Sequence, residues 1–347
     1  MVKISNFSTM NENLQGAVNF LRNGEVIAFP TETVYGLGAN ALDGEAVKKI
    51  FLAKGRPSDN PIITHISSLE MFSKVVSESF DKRLVEKLQD RFWPGPLTLI
   101  LPKADIVPYS TTGNLETIAV RMPNHPIALE LIKESNLPIA APSANISGKP
   151  SPTTAQDVFD DLQGKIPLII DGGPTEIGLE STVLDISNPQ LSPVILRPGK
   201  VTKEELEQCL KMSVDIYDPN VKSIDSESLI PKSPGMKYRH YAPNAELEIV
   251  DNLNTFKSVL MKSKSENKRI GLIIESHFEK LLLKEKMSLD ECIMYVYKDD
   301  EELASKLYFK LREMDRQKRD VIITYFKESE GFGKAILNRL NKASTKK

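Results

Sequence analysis

Cysteine and histidine are scarce in this chain, two and four residues among 347. Cys209 and Cys292 lie far apart, and neither a Cys-x-x-Cys nor a His-x-x-x-His pair occurs. A disulfide framework and a structural zinc site are therefore both unsupported, and two buried free thiols are expected instead. No window approaches the ~18 apolar residues of a membrane span, and Met1 to Asn6 opens no apolar targeting segment. A cytoplasmic chain with no membrane partner is the resulting expectation. No sign of charge dominates, because 45 Lys and Arg face 47 Asp and Glu for a net charge of −2. Such a chain does not grip nucleic acid over its whole surface, although one local basic cleft is compatible with it. The Gly-x-x-x-x-Gly-Lys-Ser/Thr phosphate loop is missing, so any nucleotide must be held by scattered side chains. Gly331-Phe332-Gly333 is too short a glycine pair to replace it and reads as a turn.

What is present suits a two-domain α/β protein. The chain is longer than one average domain, and 40% apolar with 27% charged residues is ordinary globular composition. Amphipathic stretches predict helices over 14–23, 45–53, 83–92, 126–135 and 155–163. Apolar runs predict strands over 26–29, 62–65, 97–101, 118–121, 138–141, 168–170, 182–186 and 194–196, hence one large sheet. Thr202-Lys203-Glu204-Glu205 has the form of a capping box. After Met212 the chain turns rich in Ser, Asp, Pro and Lys, which marks 213–245 as a linker between a first domain, 1–212, and a second, 246–347. Strands expected over 247–250, 270–274, 293–297 and 321–325 alternate with helices near 255–261, 301–314 and 334–342. That alternation predicts a small three-layer domain with a mostly parallel sheet.

Four places carry chemistry. Lys54-Gly55-Arg56-Pro57-Ser58-Asp59-Asn60-Pro61 sets two cations on a loop, where they have no role in a core and are expected to meet an anion. Upstream, the apolar Val26-Ile27-Ala28-Phe29 breaks at Pro30 into the hydroxyls and glycines of Thr31 to Gly38, which reads as a strand ending in a binding loop. Ser143, Asn145, Ser147 and Ser151 precede the helix near Ala155, where they could cradle a phosphate or simply cap the helix. Arg121 ends an apolar strand, so it either pairs with a buried acid or reaches a ligand.

These residues resemble those of the YrdC-like threonylcarbamoyl-AMP synthases. Pro30 to Gly38, Lys54 to His65, Trp93 to Thr98, Val120 to Pro123, Ala141 to Gly148, Ser181 to Val183 and Leu196 to Gly199 occur in that family's order. Ser233 to Pro243 is similar to the linker of its long, two-domain form. The resemblance implies a twisted mixed sheet with flanking helices, followed by a smaller Rossmann-like domain. It also implies a reaction, in which L-threonine, bicarbonate or CO2 and ATP give threonylcarbamoyl-AMP and pyrophosphate. Thr33, His65, Arg121, Ala141 and Ser181 match positions that hold L-threonine. Arg56, Asn60, Thr117, Ser143, Ser151 and Arg197 match nucleotide positions. Lys54 and Arg56 would absorb charge during the reaction, and Mg2+ would arrive with ATP. Lys237, Tyr238, Arg239, His240 and Tyr241 suit a lid over the nucleotide, with His240 and Tyr241 touching it. The implied downstream partner is a transferase that modifies adenosine 37 of tRNAs reading ANN codons. A double-stranded RNA or tRNA-binding module without chemistry of its own is the competing reading, and a weak RNA contact is compatible with either. A related carbamoyl-adenylate enzyme of hydrogenase maturation would bring cysteine-rich zinc fingers, which this chain lacks.

Overall fold

The computed structural model describes residues 3–6, 10–218, 240–327 and 329–344, those before Leu14 as backbone only. Its first part runs β1 (Lys3–Asn6), α1 (Met10–Arg22), β2 (Ile27–Phe29), β3 (Gly36–Asn40), α2 (Gly44–Lys54), β4 (Ile63–His65), α3 (Leu69–Val75) and α4 (Lys82–Phe92). It continues through β5 (Leu97–Pro102), α5 (Tyr109–Thr112), β6 (Thr117–Arg121), α6 (Pro126–Ser135), β7 (Ile139–Ala140), α7 (Ala155–Leu162), β8 (Leu168–Asp171), β9 (Thr182–Asp185), β10 (Val194–Arg197), α8 (Lys203–Leu210) and β11 (Asp215–Ile216). The strands form one mixed sheet in the order β1-β8-β2-β3-β7-β4-β6-β5-β9-β10-β11.

Side chains alternate across this sheet with the period of two that a strand imposes. Ile27 and Phe29 enter one apolar layer with Val18, Leu21, Leu97, Leu99 and Leu101. Ala28, Leu37 and Ala39 enter the opposite layer with Val47, Ile50, Phe51 and Val158. Helix ends follow local chemistry. Asp43 caps α2 by accepting from the amides of Glu45 and Ala46, and Gly55 closes it in the left-handed region at φ 60°. The expected capping box forms at Thr202 and Glu205.

The second part runs β12 (Glu246–Val250), α9 (Leu253–Ser265), β13 (Ile270–Glu275), α10 (Ser276–Lys284), β14 (Ile293–Tyr297), α11 (Asp300–Arg316), β15 (Val321–Tyr325) and α12 (Phe332–Ala343). Its four strands, ordered β12-β15-β13-β14, are all parallel. Ile270, Leu272 and Ile274 pack against Phe256, Leu260, Phe278 and Leu282, while Leu247 and Ile273 pack against Leu307, Leu311, Ile336 and Leu340. Helices thus cover both faces, as the alternation predicts. Val34 and Leu179 of the first part join the second of these clusters, so the two parts share apolar contact.

Three expectations need correction. Gly36 to Asn40 is a strand rather than loop. A Cβ on Gly38 would stand 2.6 Å from the Phe29 ring and 2.8 Å from Ile139, so glycine serves close approach of strands there. Cys209 and Cys292 are free but only half-buried. Lys54 is the last residue of α2, not a loop residue. Lys237, Tyr238, Arg239 and most of the expected linker lie outside the described residues.

Candidate functional site

β4 and β6 are parallel neighbours with His65 opposite Arg121, so the two side chains emerge at one end of the sheet. Arg121 is buried at 3% exposure. Its Nε donates to the Gly95 carbonyl at 3.2 Å and its Nη1 to Thr33 Oγ1 at 2.9 Å. The Thr31 hydroxyl donates to the Val34 carbonyl at 2.7 Å, so the 2.8 Å contact between Thr31 and Thr33 takes the Thr33 proton. Thr33 Oγ1 is thereby oriented as an acceptor toward Arg121. Arg121 Nη2 lies 2.6 Å from Glu32 Oε2. Neither Glu32 oxygen reaches hydrogen-bond geometry, which makes this a coulombic pair in a dry setting. Arg121 therefore satisfies both sequence alternatives, being paired with a buried acid and facing a cleft. Burial, with the Arg121 charge beside it, brings the His65 imidazole down to about 3 and keeps it neutral. Its Nδ1 has no partner.

The opposite wall is built around Lys54, which is 2% exposed. Its ammonium donates to the carbonyls of Ser143 at 2.5 Å and Asn145 at 2.6 Å, and its own carbonyl accepts from the Ser147 amide at 2.9 Å. Asn145 in turn donates to the Ile146 and Lys149 carbonyls and accepts from the Ser143 hydroxyl. Burial and the neighbouring Arg56 charge hold the Lys54 pKa well below the usual lysine range. Arg56, half-buried, donates weakly to the Asn60 and Pro61 carbonyls at 3.4 and 3.2 Å, and its Nε has no partner. Burial brings its guanidinium down to about 10, which leaves it charged at neutral pH.

A third wall comes from β9, β10 and the second part of the chain. Arg197 donates through Nε to the Ser181 carbonyl and through Nη2 to Ser181 Oγ, both at 3.1 Å, and Ser181 Oγ also meets Thr98 Oγ1 at 2.7 Å. Glu180 accepts from Ser151 Oγ at 2.5 Å, Tyr308 at 3.1 Å and Arg339 Nε at 2.9 Å. Burial alone would raise its pKa, but the Arg339 and Arg197 guanidiniums outweigh that and hold it at about 2. Tyr241 stacks on Tyr308 at 5.4 Å between centroids. His240 beside it is lowered to about 4 by burial and the Arg56 charge.

These walls bound one open cleft. Thr33, His65, Arg121, Ala141 and Ser181 line it together with Lys54, Arg56, Ser143, Arg197, His240 and Tyr241. Three expected residues do not line it. Asn60 is buried behind Arg56, with both ends of its amide unpartnered. Ser151 stands behind Glu180, and Thr117 begins β6 opposite Pro102, four residues from Arg121. Among the described residues, no three His, Cys, Asp or Glu side chains converge as a metal-ligand group, and no helix is long and apolar enough to cross a membrane.

A family described as telomere recombination matches residues 19–199, and the C-terminal domain of threonylcarbamoyl-AMP synthase matches residues 201–345. The threonylcarbamoyl-AMP synthase of Pyrococcus abyssi is 49% identical over 94% of this chain and 93% of its own length. The chain belongs to the threonylcarbamoyl-AMP synthase family. The Bacillus subtilis member of that family is 46% identical over 97% of this chain and 94% of its own. A crystal structure of P. abyssi Sua5 complexed with L-threonine superposes with a TM-score of 0.87 at 47% identity, covering 99% of this chain and 97% of that one. Within this family frame, sequence reasoning missed Glu32, Glu180, Tyr308 and Arg339. Glu32 and Glu180 each adjoin a residue that was singled out, Thr33 and Ser181, and a buried acid beside a ligand-facing hydroxyl is the signal that could have found them. Tyr308 and Arg339 lie on amphipathic helices with nothing local to distinguish them.

Proposed function

We propose that the cleft joins L-threonine, bicarbonate or CO2 and ATP into L-threonylcarbamoyl-adenylate and pyrophosphate. One observation carries this reading: the buried Arg121 guanidinium with the Thr33 and Ser181 hydroxyls lines the same cleft as the cations of Lys54, Arg56 and Arg197. Arg121 and Thr33 suit a carboxylate beside a hydroxyl, with Ser181, Ala141 and neutral His65 around the amino-acid side chain. Arg56, Ser143 and Arg197 suit phosphate oxygens, with Lys54 fixing the 143–147 loop and adding its charge. Asn60, Ser151 and Thr117 belong to the nucleotide group in this reading, Ser151 through Glu180.

The threonine amine, in its neutral form, bonds to CO2 and releases a proton to give a carbamate. A carbamate oxygen then bonds to the α-phosphorus as the bond to pyrophosphate breaks. No covalent enzyme intermediate is needed, and the protein contributes positioning and fixed charge. Glu32 and Glu180 are already engaged by Arg121 and by Arg339, so neither of these two carboxylates is free for Mg2+, and the ion rides on the triphosphate. In this reading residues 213–245 are the linker and lid between a catalytic unit, 1–212, and a Rossmann-like unit, 246–347. That role is supported by His240 and Tyr241 in the cleft and by the Ala242 amide donating to the Gly148 carbonyl at 2.9 Å. The site of action is the cytoplasm, and the product passes to a transferase acting on tRNA.

Purified protein with ATP and Mg2+ should release pyrophosphate only when L-threonine and bicarbonate are both present, without RNA. Serine should be used less well by about 10–200-fold, the discrimination one methyl group provides. Pyrophosphate release indifferent to bicarbonate would sink the carbamate route.

A further inference from the structure

The largest fully buried side chain in the molecule's described part is a cation, Arg339 of α12, at 0% exposure. It points out of its own unit. Its Nη1 donates to the Pro198 carbonyl at 2.7 Å, its Nε to Glu180 Oε2 and its Nη2 to the Glu180 carbonyl at 3.3 Å. With Ser151 on Oε1 and Tyr308 also on Oε2, both Glu180 oxygens are claimed before Arg197 is considered. Arg197 lies close enough to Glu180 to depress its pKa, yet its Nε and Nη2 go to Ser181, its guanidinium also meets the Tyr241 hydroxyl, and it makes no ion pair among the described residues.

We propose that Arg339 is a positioning residue for the nucleotide: by holding the Glu180 carboxylate, it keeps Arg197 on Ser181 with its charge available to the cleft. This rests on the reading of Arg197 as a nucleotide contact. Leaving a carboxylate that is 7% exposed without a counter-charge is strongly unfavourable. Once Arg339 is removed, Arg197, whose charge already acts on Glu180, is recruited to it, and turning to Glu180 takes its fork off Ser181 and cancels its charge toward phosphate. The second unit thereby reaches the chemistry through one ion pair. Arg316 also joins the units, to Asp157 at 3.0 Å and to Asp160 at 3.2 Å, and neither of those two bonds touches a cleft residue.

Calorimetry on the full-length protein, with ATP and Mg2+ and separately with L-threonine, tests this. Arg339→Met should weaken ATP by about tenfold or more, the scale of a lost charge-assisted contact, with threonine affinity nearly unchanged. Arg339→Met combined with Glu180→Gln should recover most of the ATP affinity, because no buried charge is left to recruit Arg197. Arg316→Met, which only loosens the junction, should bind ATP as the parent does. If Arg339→Met cannot fold, the double variant carries the test, and weak ATP binding in its folded form overturns the proposal. Equal loss in Arg316→Met would reduce Arg339 to mortar between the units. If Arg197→Met weakens ATP and Arg339→Met does not, the proposal alone falls. If Arg197→Met leaves ATP binding intact, the nucleotide reading of Arg197 falls and takes the proposal with it.

Discussion

Removing Arg121 perturbs two things at once, and the structure lets them be separated. In the proposed site its guanidinium receives the threonine carboxylate, so Arg121→Ala should cost about 1.5–3 kcal/mol of threonine affinity. The same change strands Glu32, which is 3% exposed and has Arg121 as its ion-pair partner at 2.6 Å. Breaking a buried pair by deleting one member costs about 3–5 kcal/mol of stability. Urea denaturation of Arg121→Ala should therefore show a large loss, while Arg121→Ala with Glu32→Gln, which leaves no buried charge, should regain most of it. Threonine affinity should not return in the double variant, because the carboxylate still lacks its cation. ATP affinity, measured by calorimetry on folded protein, should change little in either. Recovery of threonine binding along with stability would show that Arg121 acts only through the fold, and an equal loss of ATP binding would refute its assignment to the threonine end.

Two further outcomes are expected. Lys54→Met removes the donor from the Ser143 and Asn145 carbonyls, and each buried acceptor left unpaired costs about 1–3 kcal/mol. Amide exchange over 143–148 should accelerate and pyrophosphate release should collapse, whereas unchanged exchange there would mean that Lys54 does not hold the loop. Stability should also fall as pH drops below the ordinary histidine value of 6.5, because the unfolded chain then binds a proton that folded His65 refuses until about pH 3. His65→Gln should reduce the slope of the denaturation profile between those values, leaving the share that His240 and Glu180 contribute with the same sign, and an unaltered slope would show that His65 has no part in it.

Several features were legible in the chain itself because their causes are neighbours in sequence. The start of α2 follows from Asp43, the capping box from Thr202 and Glu205, and the second sheet from apolar runs that alternate with amphipathic stretches. The cleft's membership was legible through motif order, which brought Thr33, His65, Arg121, Ser143 and Arg197 together before any coordinates did. Only tertiary structure decided what those residues do with their charge. Lys54 reads as a loop cation, yet α2 carries it inward, where carbonyls 89 and 91 residues away satisfy it. Gly36 and Gly38 read as loop residues, yet the approach of Phe29 and Ile139 makes them strand. Arg339 meets Glu180 across 159 residues, and no local pattern encodes that partner. Periodicity, caps and turns depend on residues within a few positions. Which buried acid answers which buried base depends on where the whole sheet and its second unit deliver them, and in a low-dielectric interior that delivery decides which cations remain free for a ligand.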